Sequence, residues 1–306
     1  MAPPIPRAQV YFSGPRGIVG GVPDFASPAA LAARLADVGY LADEGLAMAG
    51  FLALRLHRPI FLEGDAGVGK TAFAAALAAA ADVELIRLQC YEGLDAAQAL
   101  YDWDFPRQVL HLRAVEAAAG RARSADELEA DLYDRRFLLA RPLLQAIERA
   151  PCVLLVDEVD RADDEFEAYL LEMLADAAVT VPELGRIVAE VPPVVVVTSN
   201  RTREVHDALK RRCLYHWVAH PEPEREAAIL RMRLPGIEER LAARVAAATA
   251  KLRTLDLVKP PGVAEAIDWA AALRELGLPE PARETLGVVL KVREDIELVK
   301  AADVLA

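Results

Sequence analysis

Residues 64–71 read Gly-Asp-Ala-Gly-Val-Gly-Lys-Thr, set between the apolar run Pro59–Leu62 and the Ala-rich stretch Ala72–Ala81. The pattern G-x-x-x-x-G-K-T in that setting leaves few folds open. A buried strand must stop where the loop begins, the loop must curl tightly, and a helix must start at once. The glycines let successive backbone N–H groups turn inward around a phosphate, and the helix N-terminus adds partial positive charge. Lys70 can then reach the β- and γ-phosphates, and the Thr71 hydroxyl can hold Mg²⁺. Gly64, Asp65, Ala66, Gly67, Val68, Gly69, Lys70, Thr71 and Ala72 are therefore the candidate cradle. A glycine turn at an ordinary strand–helix junction is the plainer alternative, and the presence of strand, loop and helix together argues against it.

Short apolar runs recur along the chain: Ile60–Glu63, Glu84–Gln89, Cys152–Asp157, Val194–Ser199 and Cys213–Trp217. Each has the length and flanks of a buried parallel strand, and helical patterns separate them. This predicts an α/β doubly wound parallel sheet. Residues 1–28 are rich in Pro and Gly without a sustained period and are expected to form an arm. Helices are predicted from Ser27, a candidate N-cap, and over about Leu41 to Leu56, where Pro59 enforces a stop. After His220 the strands cease, and Pro235-Gly236, Pro260-Pro261-Gly262 and Pro279 divide four helical segments. The expected organisation is an arm over 1–28, an α/β domain over 29–220 and a small all-α domain over 221–306. Two stretches exceed a minimal sheet: residues 90–151 are longer than a crossover helix needs, and residues 178–191 alternate around Pro182–Gly185 like a β-hairpin.

Asp157 and Glu158 end the third apolar run. At the carboxyl end of a strand beside the loop, Asp157 would hold the Mg²⁺ shell through water, and Glu158 would polarise an attacking water. Capping of the following helix is the plainer role for both. Loop and carboxylates together define a nucleoside triphosphatase. Asn200, at the end of the fourth run, would emerge beside Asp157 if the two strands pair, with its amide near the γ-phosphate; a buried turn asparagine is the alternative.

Residues 202–212 are expected to be a short helix ending at Lys210-Arg211-Arg212, and with Arg201 and Arg203 they form a basic stretch in an acidic chain. The whole carries 47 Asp and Glu against 35 Lys and Arg, a net charge of −12. That balance repels nucleic acid at long range, so the local cations need another anion, unless they merely offset a helix dipole. Three widely spaced cysteines, an odd number, argue against a disulfide framework and point to a reducing compartment. No apolar run reaches membrane-spanning length, and residues 1–17 lack a secretory pattern; a cytoplasmic protein is expected. Cys213, His216 and His220 imitate metal-ligand spacing, but Cys213 and His216 have opposite parity on a strand and diverge. Met48, Leu171 and Met173 are expected in the core.

The order of phosphate loop, Asp-Glu strand, Thr-Ser-Asn strand and Arg-Arg before a last strand resembles the AAA+ ATPases over roughly residues 30–300. The wording "YEGLDAAQALYDW", "FLLARPLLQAI", "LLVDEVDRADDEFEAYLLEML" and "SNRTREVHDALKRRCLYHW" is similar to the MoxR family, and within it to the CoxD-like accessory ATPases of carbon monoxide dehydrogenase. The resemblance implies ATP and Mg²⁺ as ligands, a sheet ordered 5-1-4-3-2, an insert in the second helix, a hairpin before the fourth strand and a helical lid. It implies hexameric rings and a chaperone-like role in maturing metalloenzymes, usually with a partner carrying a von Willebrand factor A domain. By the same resemblance Lys70 and Thr71 are Walker A, Asp157 and Glu158 Walker B, and Asn200 sensor 1. Arg212 is the arginine finger aimed at a neighbour's ATP, with Arg211 the second choice, and Gly39 and Tyr40 lie where relatives contact adenine. The chain departs from the pattern at sensor 2, where Gly262 stands near the expected arginine and Lys259 is the alternative. The rival reading is a nucleic-acid motor. Such motors carry cations on the hairpin, whereas here Arg186 faces Glu183 and Glu190 in the same segment, so no nucleic-acid partner is expected.

Overall fold

The structure, a computed structural model, describes residues 18–19, 22–118 and 131–302. Its centre is a five-stranded parallel sheet. In chain order the strands are β1 (Ile60–Glu63), β2 (Glu84–Gln89), β3 (Cys152–Asp157), β4 (Val194–Ser199) and β5 (Leu214–Trp217), and across the sheet they run β5-β1-β4-β3-β2. This is the order 5-1-4-3-2. Ser199 and Trp217 are both in register with Glu63, and Gln89 with Asp157. The carboxyl ends of the strands thus share one edge, which is where a doubly wound sheet binds its ligand.

Alternation explains why β1 and β3 are apolar up to their last residues, Glu63 and Asp157. Ile60, Leu62, Val153 and Leu155 belong to the core on one face, and Phe61, Leu154 and Val156 to the core on the other. Helices close both faces, so a strand here has no solvent side. The first face is covered by α1 (Pro28–Asp37), α2 (Glu44–Leu56) and α3 (Lys70–Ala81). Helix α3 is Ala-rich, a composition that favours helix, and it inserts Phe73, Ala74 and Leu77 against the sheet. Ser27 caps α1 by accepting from Ala30 N at 3.1 Å, as expected. Helix α2 starts later than predicted, because Asp43 is its N-cap, accepting from Leu46 N at 2.6 Å. It turns Met48 outward, 47% exposed, correcting its expected place in the core; Leu46, Ala47, Gly50 and Ala53 fill that face instead.

The long β2–β3 connection contains an insert. Tyr101–Trp103 pairs antiparallel with Leu138–Ala140, and α4 (Phe105–Ala118) lies between them in sequence. Helices α5 (Pro142–Glu148) and α6 (Asp164–Asp176) pack Leu143, Phe166 and Leu170 on the second face. The expected hairpin pairs Ala178–Val181 with Gly185–Val188. The basic helix is shorter than predicted: α7 spans Asp207–Arg212, because Thr202 and Arg203 are held in a loop by Asp160 and Glu167. Beyond β5 come α8 (Pro223–Arg233), α9 (Glu239–Arg253), α10 (Val263–Glu275) and α11 (Arg293–Ala301), packed around Trp269. The arm lies largely outside the described residues, but at its end Phe25 is buried and Asp24 pairs with Arg55 at 2.8 Å. No helix of the described residues is long and apolar enough to cross a membrane.

Candidate functional site

The loop between β1 and α3 closes on the end of β5. A Cβ on Gly64 would lie 2.3 Å from the Val218 carbonyl oxygen, so only glycine fits there. Lys70 folds back over the loop, donating to the Gly64 and Asp65 carbonyls at 2.7 Å each. Burial lowers its pKa, while Asp160, Asp65, Asp157 and Glu158 favour the charged form. Thr71 Oγ1 donates to Asp157 Oδ1 at 3.0 Å, joining the first turn of α3 to the end of β3.

Asp157, only 2% exposed, also accepts from Thr198 Oγ1 at 2.6 Å and from Arg87 at 2.6 Å. Hydroxyl and carboxylate are the hard oxygen donors Mg²⁺ takes, and Mg²⁺ is commonly held by one or two protein oxygens plus substrate phosphates. Among the described residues no group of three or more His, Cys, Asp or Glu could hold a metal by itself. The donor set therefore suits a metal that arrives with its phosphates.

Glu158 adopts a left-handed backbone, φ 56°, which swings its carboxylate toward β4. Asn200 Nδ2 donates to its Oε1 at 3.1 Å, and Gln89 Nε2 and Arg161 donate to its Oε2 at 3.0 and 3.1 Å. Helix capping falls elsewhere: Glu158 makes no side-chain cap bond, and Asp163 caps α6 through Phe166 N at 3.0 Å. Asn200 is itself positioned by Asp160, a buried carboxylate not singled out from the sequence, which accepts from Asn200 N at 3.1 Å and Thr202 N at 2.8 Å. Burial would raise the Asp160 pKa, but the Thr202 and Asn200 hydrogen bonds hold it below the usual carboxylate value. Its only sequence signal is an acid three residues after Asp157.

Lys70, Thr71, Asp157, Glu158 and Asn200 line a cleft of about 380 Å³ that also takes in Gly39, Tyr40 and Leu41, the α8 residues Arg225, Ile229 and Met232, and Val263 of α10. Tyr40 packs edge-on against Phe73 at 5.7 Å. Arg225, unforeseen, donates to the Leu41 carbonyl at 2.6 Å and pairs with Asp43 at 3.3 Å. Gly262, at the start of α10, lies against the loop itself: Val263 N donates to the Gly67 carbonyl at 2.9 Å, and a Cβ on Gly262 would fall 2.7 Å from Gly67 Cα. A side chain there has no room. Lys259 is exposed, outside the cleft, with its backbone N–H on Asp295 at 3.0 Å.

Arg211 and Arg212 stand away from the cleft. Both are exposed; Arg212 donates to the Leu171 carbonyl, and Arg211 approaches Asp207 at 3.7 Å. Arg58 donates to the carbonyls of both, supplying the cation that the end of α7 favours. Much of the basic stretch finds its partners inside the chain: Arg203 pairs with Glu167, Lys210 with Glu63 at 3.3 Å, and Arg201 lies over the Trp217 ring. Cys213 is buried, its thiol pushed up to about 12 by desolvation, while His216 faces Asp43 and His220 faces Asp65.

Residues 59–213 match the family model described as AAA domain (dynein-related subfamily). Among solved structures, the Thermotoga maritima RuvB Holliday junction branch migration motor aligns at 14% identity and TM-score 0.43, covering 83% of this chain and 66% of that one. The FIGL-1 AAA domain in complex with ADP aligns at 19% identity and TM-score 0.39, covering 79% of this chain and 64% of that one. This chain thus spans slightly less than two thirds of either structure's length. No curated protein matches it. The family match spans more than half of the chain, from the strand before the loop to the residue after Arg212, and it coincides with the cradle and the Asp157–Glu158 strand: the chain belongs to the AAA domain family, dynein-related subfamily, and is an ATPase that binds ATP with Mg²⁺.

Proposed function

We propose that the chain is a MoxR-type ATPase, similar to the CoxD-like accessory proteins, that couples ATP hydrolysis to remodelling of a protein client. The client is a metalloenzyme, reached through a partner with a von Willebrand factor A domain, and the working form is a homo-oligomeric ring of six. In this reading residues 29–220 form the ATPase domain and 221–306 its lid. The loop N–H groups and Lys70 bind the phosphates, and the cleft from Gly39 to Val263 takes the nucleoside. Thr71 and Asp157 would hold Mg²⁺, which when bound would supply charge neutralisation on the phosphate oxygens. Glu158 accepts the proton of the attacking water, and Asn200 orients both water and carboxylate. Arg212, with Arg211 as the alternative, is exposed and outside the lining of its own cleft, and acts on a neighbouring subunit's γ-phosphate.

The observation that carries a protein client over nucleic acid is the hairpin. Its one basic side chain, Arg186, pairs with Asp176 at 2.7 Å in a segment that also carries Glu183 and Glu190, a balance that disfavours a phosphate strand. Two measurements test the reading. Single-stranded and duplex DNA should leave turnover unchanged at physiological salt; a strong stimulation would restore the motor. Capture with a Glu158→Gln variant loaded with ATP should retain a von Willebrand-type partner and a metalloenzyme, and deletion of the ATPase should leave that enzyme under-metallated. A fully metallated, active enzyme in the deletion strain would count decisively against it.

A further inference from the structure

We infer that Arg87 occupies the cation position at Asp157 when no metal is bound, so that Mg²⁺ must displace it and the site needs more Mg²⁺ than Thr71 and Asp157 alone would demand. The inference rests on the reading that those two residues hold the metal. Strand β2 alternates, with Ile86 and Leu88 buried and Arg87 and Gln89 turned outward. Its parallel register sets Arg87 opposite Leu155 and Gln89 opposite Asp157, so the Arg87 side chain reaches forward along the edge to Asp157. Its Nη2 lies 2.6 Å from Asp157 Oδ2.

The carboxylate is otherwise met by neutral donors. Oδ1 accepts from Thr198 Oγ1 at 2.6 Å, and the Thr71 hydroxyl reaches Oδ1 and Oδ2 at 3.0 and 3.2 Å. Lys70, the other nearby cation, is committed to two backbone carbonyls. Asp157 is 2% exposed, and a buried carboxylate without a counter-charge is costly; Arg87 provides that charge by hydrogen bond. A metal held through Thr71 and Asp157 would compete with Arg87 for the same carboxylate, because a guanidinium and a dication side by side repel each other. Arg87 has solvent to move into, its side chain being 51% exposed, and on leaving it gives up a second hydrogen bond, from the same Nη2 to Gln89 Oε1 at 2.5 Å. It is thus a positioning residue that acts through Asp157 and exchanges with the metal.

The test is equilibrium binding of a fluorescent ADP analogue titrated with Mg²⁺, which involves no turnover. Arg87→Ala should lower the half-saturating Mg²⁺ concentration by roughly three- to tenfold, the scale of a partly exposed charged hydrogen bond. Arg87→Gln, which keeps a donor but no charge, should shift it in the same direction, and guards against an unstable alanine variant. Arg87→Lys should stay near wild type. Arg149→Ala, which breaks an exposed pair with Glu84 on the same strand, should change nothing. In Asp157→Asn the Mg²⁺ dependence should largely vanish. An unchanged or increased Mg²⁺ requirement in both Arg87→Ala and Arg87→Gln, with Asp157→Asn insensitive to Mg²⁺, would overturn the role of Arg87 alone. Wild-type Mg²⁺ dependence in Asp157→Asn would overturn the metal-site reading and this inference with it.

Discussion

Gly262→Ala is the substitution whose effect follows most directly from distance. The new methyl carbon would lie 2.7 Å from Gly67 Cα and 2.9 Å from Gly67 O. Carbon atoms settle about 3.5–4.0 Å apart, so α10 or the phosphate loop has to move by about 1 Å. Both Gly67 atoms are backbone and cannot swing aside as the third neighbour, the Glu265 carboxylate at 2.9 Å, could. Overpacking of this kind costs about 1–3 kcal/mol, and the movement strains the Val263 N–H to Gly67 hydrogen bond of 2.9 Å, itself worth about 1 kcal/mol. Because the displaced element is the cradle, the penalty should appear twice: as a melting temperature lower by several degrees, and as ATP binding weakened by roughly tenfold or more. Gly287→Ala is the control, since nothing lies within 4 Å of its Cβ position and its φ needs no glycine. It should be neutral or slightly stabilising. If Gly262→Ala melts and binds ATP like Gly287→Ala, the close packing of α10 on the loop is not what keeps a side chain out of position 262.

Arg253→Ala should be among the most destabilising changes outside the cleft, by about 3–5 kcal/mol in chemical denaturation, because it strands Glu226, whose side chain is 0% exposed, without its 2.7 Å partner; a loss under about 1 kcal/mol would show the pair to be dispensable. His216 and His220 are both held below the ordinary value of 6.5, chiefly by burial. A depressed pKa means the neutral rings contribute stability above about pH 6.5 that is lost as pH falls toward the folded-state values. Melting between about pH 7.5 and 5.5 should thus be less pH-dependent in a His216→Gln, His220→Gln double variant than in wild type, and equal slopes would remove them from the acid response. Arg212→Ala and Lys70→Ala should each lack ATPase activity, yet mixed rings should regain some of it, since about a quarter of interfaces in a randomly mixed cyclic ring join an intact site to an intact finger. No recovery despite proven subunit exchange, with recovery when Arg211→Ala replaces Arg212→Ala, would transfer the finger to Arg211.

What the sequence disclosed follows from how local each signal is. The loop, its strand and its helix occupy Pro59–Ala81 without a break, so their geometry is a property of neighbours in the chain, and the same holds for the apolar runs that became β1 to β5. The shared location of Asp157, Glu158 and Asn200 was legible because each lies at or just past the end of a strand, and parallel strands end together at one edge. Arg87 and Gln89 were not. Their reach to Asp157 and Glu158 depends on the register between β2 and β3, which are separated by the whole insert. Arg225 was hidden for a similar reason, because only the path of the chain after β5 brings α8 to Leu41 and Asp43 at the cleft. The sequence showed a glycine at 262 but not why, since its reason is Gly67, far away in the chain. The errors at Met48 and at the start of α7 came from assigning periodicity without knowing which face was covered, or which side chains would hold residues 202–206 in a loop.

The central claim, that Glu158 activates the water at a site built around Lys70 and Asp157, is tested most directly by a single-turnover experiment on Glu158→Gln. The amide keeps the side chain's size and can still meet Asn200, now 3.1 Å from Glu158 Oε1, but it cannot accept a proton from water. Mg·ATP affinity should stay within a few-fold of wild type, while release of γ-phosphate from bound ATP should slow by roughly 10²- to 10⁴-fold, the usual range for loss of a general base. Phosphate release at close to the wild-type rate from a fully loaded Glu158→Gln protein would contradict the account.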